Sequence, residues 1–277
     1  MLFRSGADGP RSYLLVFQNN AESRATGGLP GSLALIRAVD GHIELVRQVP
    51  GAGFPEPAQP IVPLTKVEEE MWGPLIGTRF LDANWEPDFA RVSQIWRAHW
   101  DAVYPRQQVD GVIAIDTVAS AGLLQATGPI TVQGTELTSE NLVDQLLSGV
   151  YARFVQPADQ DRFFQDTATT LFDAVTQNVS DPTALITALS EGASEHRILI
   201  QSNDPAEQQV LVVQHGELVE HARDRGAEGG VGVHDRMGVG TIGQDAEVQG
   251  HLRGGHRARP AGLHAPLGVD HHDVVGG

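Results

Sequence analysis

The regular apolar pattern of this 277-residue chain stops at about Val213, and that break limits how much of it can pack into a folded body. Residues 215–277 hold 15 of the 31 glycines and 8 of the 11 histidines, with no lysine, no aromatic residue and a single isoleucine, Ile242. Neither a helical nor a strand period survives there. So little apolar area does not offset the entropy of ordering the chain. Residues 1–213 are therefore expected to form an α/β domain, and residues 214–277 a glycine- and histidine-rich, disordered tail. The tail composition fits a natural tail and equally a GC-rich stretch read in a wrong frame. His271-His272-Asp273 and the other tail histidines lack a metal-binding spacing such as His-Glu-x-x-His.

Upstream of the break, strand-like and helix-like segments alternate. Ser12–Gln18 is a short apolar run that predicts a buried strand, followed by a polar loop over Asn19–Gly31. Ser32–Val39 and His42–Val49 flank Asp40-Gly41, a hairpin turn signal. Pro50–Pro63 is an extended connection, and Glu68–Leu75 a short helix interrupted by Gly73-Pro74. Phe89, Val92, Trp96, His99, Trp100 and Val103 recur at helical spacing, with Pro87 and Asp88 suited to the helix start. Gly111–Ile115 predicts a buried strand and Val118–Ala126 a helix with Gly128 past its end. Ile130–Val132 follows as a strand. Helices are expected from Thr138 or Ser139 to about Phe154, over Asp161–Val175 and over Thr183–Leu189, with a last strand at Arg197–Gln201. The predicted fold class is α/β: a mixed sheet flanked by helices.

Charge and composition exclude several functions. A formal net charge of −16 argues against a nucleic-acid binder, which needs cations to neutralise phosphates. The absence of cysteine removes disulfides, thiolate metal sites and a cysteine nucleophile. One lysine, Lys66, stands against 18 arginines, a bias that points to a GC-rich bacterial genome. No apolar run reaches the roughly 18 residues a membrane helix needs, so no membrane span is expected in this chain. The N-terminus lacks the charged-then-apolar order of a signal peptide. Ser23, Ser32 and Ser120 lack the Gly-x-Ser-x-Gly context of a hydrolase nucleophile.

The most informative segment is Tyr13–Ser32, which sets Asn19, Asn20, Glu22, Arg24 and Thr26 just past a buried strand. Gly27-Gly28 there permits a sharp turn or a close backbone approach. Ligands of open α/β sheets bind beyond the carboxyl ends of the strands. Asn19, Asn20, Arg24 and Thr26 are accordingly candidate ligand-binding residues, as are Asn84 and Asp88, with Trp85 or Trp96 able to stack on a sugar. The alternative role for the polar groups is local: satisfying a turn, and, at Asn84 and Asp88, capping a helix.

The stretches GADGPRSYLLVFQNNAESRATGGLPGS, DANWEPDFA, VDGVIAIDTVASAGLLQATGPITV and LTSENLVDQLLSGVYARF resemble the domain-of-unknown-function 4012 family, found largely in actinobacterial envelope proteins. The resemblance covers about residues 6–213. It implies a membrane-anchored protein with this domain outside the cytoplasm. Against that family Met1 falls inside the conserved block and the sequence after Val213 does not match, so the domain is expected to be incomplete at both ends.

The order of features is also similar to LytR-CpsA-Psr proteins, which transfer polyprenyl-pyrophosphate-linked glycopolymers to the bacterial wall. This resemblance implies that Arg24 matches a turn arginine, LLQATGPITV a strand-helix-strand unit and Tyr151-Ala152-Arg153 a Tyr-x-Arg element. Arg24 and Arg153 would then grip a pyrophosphate bidentately, and Asp116 or Asp88 would offer a carboxylate to Mg2+. The pattern is incomplete: Ala25 or Thr26 stands where an acidic residue belongs, and Phe154-Val155 follows Arg153. Three readings result. The first is an extracytoplasmic domain binding a cell-wall glycan, a lipid-linked saccharide or an envelope partner. The second is a magnesium-dependent transferase acting on polyprenyl-pyrophosphate-linked glycopolymers. The third is a truncated product without a function of its own.

Overall fold

The computed structural model describes residues 9–211; the expectations for residues 214–277 and for Met1 lie outside them. Strands β1 (Arg11–Arg24), β2 (Gly27–Val39) and β3 (His42–Pro50) form an antiparallel meander. The β2–β3 turn is the predicted Asp40-Gly41 pair, both at positive φ (49° and 84°), as a two-residue hairpin turn requires. Past a proline-rich connection come the short helices α1 (Lys66–Trp72) and α2 (Leu75–Thr78). A 3-10 turn follows at Phe80–Trp85, then α3 (Phe89–Val103). α1 starts in a capping box between Thr65 and Glu68, and Glu68 is in turn held by Arg91 at 2.6 Å.

β4 (Gly111–Asp116) runs parallel to β1, and α4 (Thr117–Thr127) leaves its end directly. A small hairpin, β5 (Ile130–Val132) and β6 (Thr135–Leu137), precedes an irregular helical stretch. That stretch comprises α5 (Leu142–Asp144), a π-helical turn (Gln145–Gly149) and α6 (Val150–Arg153). Then come α7 (Pro157–Gln177), α8 (Pro182–Ser194) and β7 (Ile198–Ser202), the last pairing antiparallel with β4. The sheet order is β3-β2-β1-β4-β7, so the predicted mixed sheet is observed. No helix among the described residues is long and apolar enough to cross a membrane.

Strand alternation places a helical layer on each face of the sheet. Leu14 and Val16 point to one face, where Val92, Ile95, Trp96 and Trp100 of α3 cover them. Leu15 and Phe17 point to the other, against Leu123 and Leu124 of α4, Phe163 and Leu171 of α7 and Ala188 of α8. Trp96 and Trp100 are core residues, as their helical spacing implies. The polar loop expected over Asn19–Gly31 is corrected. β1 continues to Arg24 and β2 begins at Gly27, leaving only Ala25-Thr26 as the turn. Register shifts at Phe17/Gln18 and Asn19/Ser23 bend the strand and re-aim its polar side chains. Backbone pairing therefore persists through a sequence whose composition reads as loop.

His99 is buried at 1% exposure on the α3 face, edge-on to Phe54 and Phe80. Burial lowers its pKa from 6.5 to about 4, so it stays neutral in the fold over a range where the unfolded chain binds a proton. The stability it allows is present above pH 6.5 and is lost as pH falls from 6.5 towards 4. The loss is about 3 kcal/mol at most. Urea unfolding of the wild type should show that slope, and His99→Phe should flatten it; an unchanged slope in the variant would assign the acid sensitivity to other groups.

Candidate functional site

β1 and β4 are the parallel pair, and their pairing ends at Gln18 and Asp116, the carboxyl end of β4. Beside them, between the sheet and α7, lies a cavity of about 280 Å³. Its inner wall is mostly apolar, from Phe17, Leu29, Ile115, Leu142, Leu146, Phe164, Ala168 and Leu171, with the buried polar residues Gln18, Ser32, Thr117, Ser120 and Thr167 between them. Exposed Glu22 and Tyr151 and half-buried Gln160 and Asp161 form its mouth. Burial pushes the Asp161 carboxyl above its usual range. The room exists because α7 presents the small side chains Thr167 and Ala168 to the sheet, with larger Phe164 and Leu171 on either side.

Asn19 belongs to this cavity. Its Nδ2 donates to Leu146 O (3.4 Å) and Tyr151 Oη (3.1 Å), and its Oδ1 accepts from Ala21 N–H (2.9 Å). It ties the strand end to the π-helical turn and to the mouth tyrosine. Asn20 points elsewhere and joins β1 to β4, donating to Asp116 Oδ2 (3.1 Å) and accepting from Thr117 N–H (3.1 Å).

Arg24, 9% exposed at its side chain, meets Glu22 at 2.7 Å and Asp82 at 3.7 Å and lies 5.5 Å from the Trp85 ring centre. Thr26 is buried beside it. Asn84, fully buried, donates to Gly28 O at 2.8 Å. It therefore pins the hairpin end and neither caps α3 nor lines the cavity. Asp88 is the exposed N-cap of α3, accepting from Ala90 N–H at 3.0 Å, the local role the sequence left open for it.

Arg153 is exposed and bonded to Thr135 Oγ1 and Gln133 O, with its guanidinium over Phe154 and Phe163. Arg24 thus packs on the 3-10 turn of the α3 face, and Arg153 on the α7 face. Among the described residues they share no hydrogen-bond partner, and neither is among the residues lining the cavity, although Arg24 pairs with Glu22 at its mouth. Magnesium fares no better. Asp116 Oδ1 accepts from Ala119 N–H at 2.8 Å as the N-cap of α4, and Oδ2 accepts from Asn20 and from Arg197 Nη1 at 2.8 Å. Its lone pairs are directed at protein donors, which does not fit a hard cation that demands octahedral oxygens. Among the described residues no three His, Cys, Asp or Glu side chains cluster.

The residues that sequence reasoning missed are Gln18, Gln160 and Asp161 in the cavity and Arg197 against Asp116. Gln18 opens a polar stretch whose composition reads as a loop, and Arg197 is distant in sequence, so neither left a local signal. For Asp161, the helical spacing to Phe164, Ala168 and Leu171 was the available clue.

A strand-end cavity with a built polar rim is where an α/β domain holds a ligand, and this chain has one. Residues 8–151 match the family described as protein of unknown function (DUF4012), and the chain belongs to that family. Similar solved structures include protein gbs0355 from Streptococcus agalactiae, 11% identical over 76% of this chain and 74% of that one, with a TM-score of 0.46. TagV of Bacillus subtilis is 10% identical over 76% and 80%, with a TM-score of 0.39. A LytR-Csp2A-Psr enzyme from Actinomyces oris is 12% identical over 78% of each chain, with a TM-score of 0.39. No curated protein matches the sequence.

Proposed function

We propose that this domain binds an amphiphilic saccharide, such as a lipid-linked glycan of the cell envelope, and holds it without cleaving it. The observation that carries the reading is the cavity: an apolar wall that takes a hydrocarbon tail, opening at a rim of Asn19, Glu22, Tyr151, Gln160 and Asp161. At about 30 Å³ per water-sized group, the space takes roughly nine methylene-sized groups. Their transfer from water contributes about 0.8 kcal/mol each, of which association removes at least about 4 kcal/mol. A tail alone therefore binds weakly, and the head must add hydrogen bonds. Of the rim carboxyls, Glu22 is already paired with Arg24, and Asp161, with its pKa raised by burial, can share hydrogen bonds with sugar hydroxyls. This favours a neutral saccharide head over a pyrophosphate.

Titration calorimetry with monomeric decyl maltoside should give a dissociation constant on the order of 0.1–1 mM. Decyl phosphate should bind more weakly. Ala168→Phe, which fills the cavity from α7, should abolish both while leaving the thermal unfolding intact. Tighter binding of the phosphate, or maltoside binding that survives Ala168→Phe, would overturn this reading.

A further inference from the structure

No lysine, arginine or histidine lines the cavity, and most of its hydrogen-bond donors are spent. Asn19 Nδ2 is shared between Leu146 O and Tyr151 Oη, and Gln160 Nε2 donates to Phe154 O. The hydroxyls of Thr117, Ser120 and Thr167 donate to backbone carbonyls. Gln18 Nε2 is sealed from access. Acceptors remain. Gln160 keeps its amide oxygen, and Asp161 keeps its whole carboxylate.

Asp161 stands apart from the acids around it. Glu22 is matched by Arg24 at 2.7 Å, and Asp159 by Arg162 at 3.8 Å. For Asp161, burial is the sole cause of its raised pKa, so no cation lies close enough to lower it. Its oxygens are not sealed either: the unpartnered side-chain atoms without accessible surface belong to other residues. The carboxylate lies at the mouth with Glu22 and Tyr151. Burial raises the Tyr151 pKa, and the nearby charges of Glu22 and Asp161 raise it further. Tyr151 is 44% exposed and presents an aromatic face there, its ring 6.3 Å from that of Phe164. A half-buried carboxylate without a counter-charge forgoes hydration without gaining a partner. The group that matches it is a cation with N–H donors and no acceptor, and an aromatic face adds to the hold on such a group.

We infer that Asp161 receives an ammonium group on the ligand's head, so that the cavity selects an amino sugar over its hydroxyl counterpart. This rests on the amphiphile reading above and deepens it: among heads without phosphate, one that bears a free amine is preferred. A bare metal ion is not the match, because no three His, Cys, Asp or Glu side chains cluster among the described residues. Recognition here consists of hydrogen bonds and charge attraction, and no covalent bond changes.

The test is calorimetry at pH 7 on the full chain, with each ligand kept monomeric. Decyl glucoside is compared with its 2-amino-2-deoxy and 6-amino-6-deoxy forms and with the N-acetylated form of each amine. Wild type should bind at least one amine about fivefold more tightly than decyl glucoside, and acetylation should remove that preference. Asp161→Asn should bind the amine and the glucoside equally. Asp159→Asn removes the same charge two residues away on the same helix and should keep the preference. Should Asp161→Asn lose its cooperative melt, Asp161→Ala serves instead, since alanine suits a helix and Asp161 has no protein partner to lose. Three outcomes overturn the role of Asp161 and leave the cavity reading standing: no preference for either amine in wild type, a preference that persists in Asp161→Asn, or one that Asp159→Asn loses equally. Binding of none of the ligands overturns both.

Discussion

Gly28→Ala is expected to destabilise the domain by about 3 kcal/mol or more, a large share of a stability of about 5–15 kcal/mol. An alanine methyl at this position would begin 2.2 Å from Asn19 O, 2.4 Å from Asn19 C and 2.7 Å from Asn20 N. All three are backbone atoms. Asn19 is tied to Leu146 and Tyr151, and Asn20 to Asp116 and Thr117, so the obstructing strand is fastened on both sides. Gly28 itself is held by Gln18 and Asn84. Neither partner of the contact yields cheaply, which places the change at or above the upper end of overpacking effects. Gly31→Ala is the matched control: its methyl would meet nothing nearer than Leu29 O at 4.0 Å, and its effect should stay within about 0.5 kcal/mol. Urea midpoints of the two variants check the difference. Equal midpoints would mean that the close approach of Gly28 to Asn19 is not what fixes the hairpin end.

That same approach explains what the sequence concealed. Helix α3 was readable because each of its buried residues recurs at helical spacing and Asp88 caps it in place. The Asp40-Gly41 turn was readable because its backbone demands that residue pair. The segment Asn19–Arg24 was not readable as strand, since its composition is that of a loop and its pairing depends on bulges that only the partner strand reveals. β6 was missed because three residues, Thr135–Leu137, carry no period of their own. The candidate site divides along the same line. Asn19 was found from its place after a buried strand, whereas the cavity beside it depends on which face of α7 carries Thr167 and Ala168, and on α7 crossing the sheet there. Arg24 and Arg153 were paired by the resemblance; in the fold Arg24 contacts Glu22, Asp82 and Trp85, and Arg153 contacts Thr135, Gln133, Phe154 and Phe163.

Asp116→Ala should cost about 3 kcal/mol, and the reason bears directly on function. The carboxylate, 3% exposed, accepts from Ala119 N–H at the start of α4, from Asn20 on β1 and from Arg197 before β7. Loss of the cap contributes about 1 kcal/mol. Leaving the Asn20 amide without its acceptor contributes about 1–3 kcal/mol. The Arg197 part is small, because its side chain is 34% exposed and keeps Glu195 at 2.7 Å, so solvent screens it. Asp116→Asn should cost less, since one amide oxygen still serves either the cap or Asn20. If Asp116 is a structural junction of this kind, millimolar magnesium should leave the unfolding midpoint of wild type unchanged. A cation that bound only the folded state would raise it by RT ln(1 + [L]/Kd), about 2.7 kcal/mol at a hundredfold excess over Kd. A magnesium-dependent rise in wild type that vanishes in Asp116→Ala would return this residue to the role of metal ligand and reopen the transferase reading. Without such a rise, the three bonds of Asp116 account for its burial.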